Sequence, residues 1–171
     1  MENNFKALMM LLTILLTGLS AGLFYAWSIS VIPGIKRIPD KSYLEAIQEI
    51  NRSILNPWFF ILFFGAALMM VYSAYLQFKT NAYLSFWISL CAAVIYLVGT
   101  VGITAFGNVP LNQMLDQVQL NILNTGDLQL TRQAYEGQWN RLHTIRTFFS
   151  VVSFLLLTVR YNGHQTATDL L

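Results

Sequence analysis

Charged residues are missing from three long stretches of this chain, and their absence limits what it can fold into. Lys6 and Lys36 bracket 29 uncharged residues, Arg52 and Lys79 bracket 26, and Lys79 and Asp116 bracket 36. A helix needs roughly 20 apolar residues to cross the hydrocarbon core of a bilayer. Each stretch exceeds that, and a fourth apolar run follows near the C-terminus. Only 11% of the 171 residues are charged, against about 25% in soluble domains, too few to cover a water-facing surface. Mean hydropathy is +0.53. The expected fold is all-α: a single membrane domain forming a transmembrane four-helix bundle, multi-pass in the cell membrane.

The spans are expected at 5–31, 57–77, 83–106 and 142–160, with a polar, mobile tail at 161–171. The first apolar stretch, 7–32, is longer than the roughly 7–15 residues of a secretory h-region, so it reads as a retained span. Pro57 suits the first turn of span two, and the short Lys79-Thr80-Asn81 turn makes spans two and three an antiparallel hairpin. Four crossings put the two long connectors on one side of the membrane. Each connector carries a short amphipathic helix. In the first, Ser42 and Glu45 form a capping box, and Leu44, Ile47, Ile50 and Ile54 recur at helical spacing, as in a helix lying on the membrane surface. In the second, Leu111, Leu115, Val118 and Ile122 recur similarly before Asn124-Thr125-Gly126-Asp127 breaks the pattern. From about Leu128 the helical pattern resumes and continues into span four. Six basic residues on the connectors (Lys36, Arg37, Lys41, Arg52, Arg132, Arg141) against three on the other side (Lys6, Lys79, Arg160) lean towards cytoplasmic connectors.

Several chemistries are disfavoured. Net charge is +2 with the basic residues scattered, so no nucleic-acid partner is expected. Cys91 is the single cysteine, which leaves no disulfide framework and no cysteine metal site. No span contains Asp or Glu, against a proton relay or a carboxylate-bridged dimetal centre. His143 and His164 cannot both enter one bundle core, against bis-histidine haem. No cofactor and no metal is therefore expected. The competing arrangement is a metal held by His143 with connector acids such as Glu49 or Glu136.

Span four carries the functional signal. Only 13 uncharged residues separate Arg146 from Arg160, roughly 21 Å along a helix, whereas the hydrocarbon core is about 30 Å thick. Spanning therefore draws Arg146 towards membrane depth, where an unpaired charge costs at least about 2.5–3.5 kcal/mol. It must face protein or water and find acceptors among Asn51, Asn108, Asn112, Ser28, Thr104 and backbone carbonyls. The bland alternative is an arginine snorkelling at the interface. Trp139, His143, Arg146 and Ser150 share one helix face, and His143 has the unperturbed pKa best suited to proton transfer near neutrality. In span three, Tyr96, Thr100, Thr104 and Asn108 recur every four residues, drifting slowly around the helix. Their plain reading is hydroxyls bonded to their own helix and a helix stop. Gly18 and Gly22 form a GxxxG packing motif.

At these residues the chain resembles a known family. Gly22-Leu23-Phe24-Tyr25-Ala26-Trp27-Ser28 with Val31-Ile32-Pro33-Gly34, then Ile50-Asn51-Arg52 with Leu55-Asn56-Pro57, then Gly107-Asn108-Val109-Pro110-Leu111-Asn112, then Trp139-Asn140-Arg141 with His143 and Arg146-Thr147, are similar in kind and order to the conserved blocks of the anthrone oxygenase-like family of small membrane proteins. The resemblance implies a four-span bundle and, more loosely, oxidation of an anthrone to an anthraquinone by molecular oxygen without metal or flavin. It would make His143 the general base for the activated methylene. Arg146, with amide donors from Asn108 or Asn112, would stabilise the resulting oxyanion. Tyr25, Trp27 and Trp139 would wall in a planar aromatic small molecule, and Asn51, Asn56, Thr104 and Asn140 would complete the binding set. The rival expectation is a non-enzymatic bundle binding a lipid, a quinone or a partner protein, or a small transporter, with homo-oligomerisation compatible with any of these.

Overall fold

In a computed structural model, residues 2–168 are described, with side chains for 5–159. Among the described residues every regular element is helical. Helix α1 (Glu2–Ala26) continues through a π-helical segment, Trp27–Val31, into the short α2 (Ile32–Ile35). Helix α3 (Asp40–Ser53) forms the first connector. Helices α4 (Pro57–Lys79) and α5 (Tyr83–Tyr96) make a hairpin. Two further π segments, Leu97–Gly102 and Thr104–Asn108, lead from α5 into α6 (Val109–Asp116). Helix α7 (Thr125–Thr168) is a single element of 44 residues, with Asn124 Oδ1 accepting from the Asp127 amide at 3.0 Å as it starts.

Four stretches are long and apolar enough to cross a membrane: Phe5–Ile35, Pro57–Lys79, Tyr83–Asp116 and Thr125–Val159. The chain is thus an all-α, multi-pass membrane protein. The helices form a ring in which α1 packs on α4 and α7, and α5 packs on the same two neighbours. Small residues let them approach. Ala66, Ala67, Ala92 and Ala93 are buried at the crossings with Met10, Met70, Tyr96 and Leu157. Hydrophobic driving force between helices is weak in lipid, so such close van der Waals packing carries the association. Buried Thr13 and Thr17 return their hydroxyl protons to the carbonyls of Met9 and Thr13, each at 2.7 Å, and so cost no unsatisfied group. Of the GxxxG pair, Gly18 lies under the Phe154 ring of α7, whereas Gly22 has open space where a Cβ would be.

Helix α7 starts well before the expected fourth span at 142–160. Its length is about 66 Å at 1.5 Å per residue, roughly twice the hydrocarbon thickness, so its N-terminal half stands above the core of the bilayer. There α3 and α6 pack onto it, and a second apolar cluster forms from Tyr43, Leu44, Ile47, Leu115, Leu120, Leu128, Tyr135 and Trp139. The apolar face of α3 is therefore spent on protein rather than laid on lipid. The Ser42–Glu45 capping box is also not used: α3 begins at Asp40 with Pro39 in the N-cap position and no side-chain cap. Proline pre-sets that turn, so the helix starts before Ser42 can cap it. The backbone of the tail is helical as far as Thr168; the side chains of Arg160 and His164 lie outside those described.

Polar contacts fix this cap. Arg132 donates to Glu136 Oε2 (2.7 Å), Asp40 Oδ1 (2.9 Å) and the carbonyls of Ile38 (2.9 Å) and Lys36 (2.8 Å), and it stacks 4.2 Å above the Tyr43 ring. Arg52 bridges Glu49 and Asp116, both at 2.7 Å. Gln48 Nε2 donates to the carbonyls of Leu115 and Val118 at 2.8 and 3.1 Å, tying α3 to the end of α6.

Two outcomes follow for stability. A Cβ on Gly99 would overlap Phe149 close to its backbone, where a rotamer change cannot relieve it. Gly99→Ala should cost about 1–3 kcal/mol and lower the melting temperature in detergent, while Gly22→Ala should not; equal melting of both variants and wild type would refute the tight contact between the Leu97–Gly102 π segment and α7. Arg132→Ala strands Asp40 and Glu136, whose side chains are only 35% and 17% exposed. It should cost about 2 kcal/mol and open the segment around Pro39 to proteolysis before the bundle unfolds.

Candidate functional site

One face of α7 supplies the centre of the site. Tyr135, Trp139, His143, Arg146 and Ser150 follow at intervals of four, four, three and four, so they line up along the helix and all are buried. The rings form a column: the His143 imidazole lies parallel to the Trp139 indole at 5.1 Å and 6°, and the indole stacks on Tyr135 at 6.2 Å and 24°.

Arg146 closes over this column. Its Nε and Nη2 lie 3.2 and 3.0 Å from His143 Nδ1, and its Nη1 lies 3.3 Å from Thr104 Oγ1. Its plane packs 4.7 Å from the Phe24 ring and 5.3 Å from Trp139. A guanidinium can only donate, so His143 Nδ1 must be an acceptor. The ring proton is then on Nε2, which is 3.0 Å from Ser28 Oγ and 3.2 Å from the Phe24 carbonyl oxygen. His143 is the neutral tautomer with both nitrogens occupied.

The backbone around the site departs from α-helical geometry. A stripe spaced by four rotates steadily around an α-helix of 3.6 residues per turn. The wider i→i+5 turns at 97–108 absorb that drift, so Tyr96, Thr100 and Asn108 are all buried towards the bundle. Thr100 Oγ1 donates to the Arg146 carbonyl at 3.3 Å, and Thr104 Oγ1 to the Thr100 carbonyl at 2.7 Å. The π segment at Trp27–Val31 turns Trp27 towards Trp139, with ring centroids 6.3 Å apart. Trp27 Nε1 and Asn108 Oδ1 are the buried side-chain polar atoms without a partner among the described residues. Both belong to this cluster, and orphaned polar atoms are rare enough in native structures to mark functional ground.

A cleft opens beside the guanidinium, under the cap. Leu23, Phe24 and Trp27 of the first span, Ile50, Ile54 and Leu55 of the connector, Phe59 and Val109 give it apolar walls, and Asn51, Thr104, Asn112, Trp139 and Arg146 give it polar ones. Its open volume, mouth included, is about 570 Å³. On the cap side Trp139 Nε1 donates to Asn112 Oδ1 at 2.8 Å, Tyr135 Oη donates to the same oxygen at 2.9 Å, and Asn51 Nδ2 donates to Tyr135 Oη at 3.2 Å. Among the described residues no carboxylate pairs with Arg146. The acids near this end of the bundle are engaged by Arg52 and Arg132 instead.

The expected site residues divide accordingly. Arg146, Trp139, Trp27, Asn51, Thr104 and Asn112 meet at the cleft. His143 does not line it; it stands behind Arg146, and its free lone pair is used by the guanidinium. Asn108 also lies behind, donating through Nδ2 to the Trp139 carbonyl at 3.3 Å, because the π segment turns it towards the α7 backbone. Asn56 is the N-cap of α4, accepting from the Phe59 amide at 3.1 Å. Tyr25 is 54% exposed on the outside of the bundle, since it is one residue, about 100°, from the inward Phe24. Asn140 is likewise one residue past the inward Trp139 and lines no wall. Of the acceptors expected for Arg146, only Thr104 serves, joined by His143. Glu49 and Glu136 are held by arginines away from His143, and no three metal-ligating side chains cluster among the described residues. Tyr135 was missed, although extending the Trp139–His143 spacing back by four would have found it. Phe59 was missed because one aromatic residue among many carries no sequence signal; Phe24 stands in the first block of the resemblance but was not expected in the binding set.

No curated protein and no solved structure matches the chain. Residues 58–156, more than half of the chain and including Asn108, Asn112, Trp139, His143 and Arg146, match the anthrone oxygenase family. The chain belongs to the anthrone oxygenase family.

Proposed function

We propose that the protein is an oxygenase of the cell membrane that oxidises a planar anthrone-type ketone with molecular oxygen, without a metal or organic cofactor. The observation that carries this reading is Arg146: a buried guanidinium facing an apolar, aromatic-walled cleft with only neutral acceptors around it. A positive charge that lacks a carboxylate favours a ligand with negative charge on oxygen. An opposite charge within about 4–6 Å lowers the pKa of an acidic group by about 1–3 units. Bound beside Arg146, the enol form of an anthrone would ionise more readily, and the electron-rich anion can reduce dioxygen itself. In the overall reaction the methylene carbon loses two hydrogens and four electrons. One oxygen atom becomes the new carbonyl and the other leaves as water. In this scheme Arg146 stabilises the oxyanion, His143 and Thr104 hold Arg146 in place, and the proton leaves through the cleft mouth. His143 is then a positioning residue rather than the base.

A second reading, a bundle that binds a quinone or lipid without turnover, draws on the same cleft, because no side chain on its wall is placed as a general base. The test is oxygen-dependent formation of quinone absorbance by purified protein supplied with an anthrone. Arg146→Gln should lower the rate about 10²-fold, the usual effect of removing an oxyanion donor. Arg146→Lys should restore little, because a point charge cannot hold the fork geometry. Tyr25→Phe should leave the rate unchanged. Quinone binding without any turnover by wild type would favour the second reading.

A further inference from the structure

The polarity of the Asn51–Tyr135–Asn112 network can be fixed from a single atom. Indole Nε1 only donates, so the Asn112 atom 2.8 Å from Trp139 Nε1 is the amide oxygen. The Tyr135 hydroxyl, 2.9 Å from the same oxygen, must donate its one proton there. Its oxygen is then left to accept, so the Asn51 atom 3.2 Å away is the amide nitrogen. Each asparagine thus has its other end unspent. Asn112 Nδ2 and Asn51 Oδ1 have no partner among the described residues and are not sealed from solvent, and both residues line the cleft. The wall therefore carries an unspent amide donor from Asn112 and an unspent amide acceptor from Asn51, joined from behind by one tyrosine hydroxyl.

We infer that Asn51 and Asn112 are specificity-determining residues that read a phenolic hydroxyl on the aromatic ligand, and that Tyr135 is the positioning residue that orients them. A phenol hydroxyl both donates and accepts, so a single such group answers both amides: its proton goes to Asn51 Oδ1 and its oxygen receives Asn112 Nδ2. An ether can only accept and leaves Asn51 unpaired. A bare ring leaves both amides unpaired. The inference rests on the aromatic-ligand reading of the cleft but not on turnover. Asn51 comes from the connector helix and Asn112 from α6, so the hydroxyl-reading edge belongs to the cap, whereas Arg146 belongs to the bundle.

The experiment measures binding of 2-hydroxyanthraquinone, 2-methoxyanthraquinone and anthraquinone by quenching of tryptophan fluorescence, with full-length protein in nanodiscs at about pH 6, which keeps a phenol neutral. Wild type should bind the hydroxy compound about five- to tenfold tighter than the methoxy compound, the worth of one net hydrogen bond. Asn51→Leu should abolish that preference, so that the hydroxy and methoxy compounds bind alike. Tyr135→Phe should reduce it, because Asn51 is released while Trp139 still holds Asn112. A merely structural role for Asn51 or Tyr135 would weaken all three ligands alike, and that result overturns the inference. Equal binding of the hydroxy and methoxy compounds by wild type also overturns it and leaves the aromatic cleft intact. Failure of wild type to bind any of the three removes the aromatic-ligand reading and this inference with it.

Discussion

The site depends on a guanidinium held inside a membrane bundle by a neutral imidazole. Arg146 has five donors and no acceptor, and leaving them unpaired in low dielectric is costly. His143, one turn earlier on the same helix, answers two of them through one lone pair. That choice propagates outward. Because Nδ1 accepts, Nε2 must donate, which ties α7 to Ser28 and the Phe24 carbonyl of α1. Thr104 takes a third donor, which ties α7 to the π segment after α5. Aromatic faces from Phe24 and Trp139 cover the rest of the cation, an arrangement that gains strength when the charge is desolvated. Three of the four spans thus converge on one charge.

The distribution of acids makes that charge useful. The cap has its own arginines, Arg52 and Arg132, and they hold Glu49, Asp116, Asp40 and Glu136. None is left to neutralise Arg146 among the described residues. The cap is thus a self-neutralised domain of apolar and ionic contacts, and the bundle below it keeps an uncompensated cation at the cleft. The site is assembled where the two meet, with the connector and α6 supplying amides and the spans supplying the cation and rings.

The fold was largely legible because a bilayer imposes its own arithmetic. Runs of 29, 26 and 36 uncharged residues leave few alternatives to spanning helices, and all four apolar helices occur. The site was legible where it followed α-helical spacing. Trp139, His143 and Arg146 share a face because four- and three-residue steps close on a 3.6-residue turn. It was less legible where the backbone departs from that period. Asn108 and Asn112 looked equivalent, yet the π segment ending at Asn108 turns it towards the Trp139 carbonyl while Asn112 reaches the cleft. Asn56 looked like a ligand and caps a helix, a use that asparagine serves equally well.

What the sequence determined by itself is the class of the molecule, because that follows from counting residues against a fixed membrane thickness; for Arg146 it left burial and snorkelling both open, and the structure buries it. Only the tertiary structure decided which partner that arginine takes, which amides face the cleft, and that α3 covers α7 instead of lipid. Those outcomes depend on contacts across as many as 119 positions of sequence, as between His143 and Phe24. Helical periodicity carries no information at that range: it says which residues share a face, whereas packing decides what that face meets.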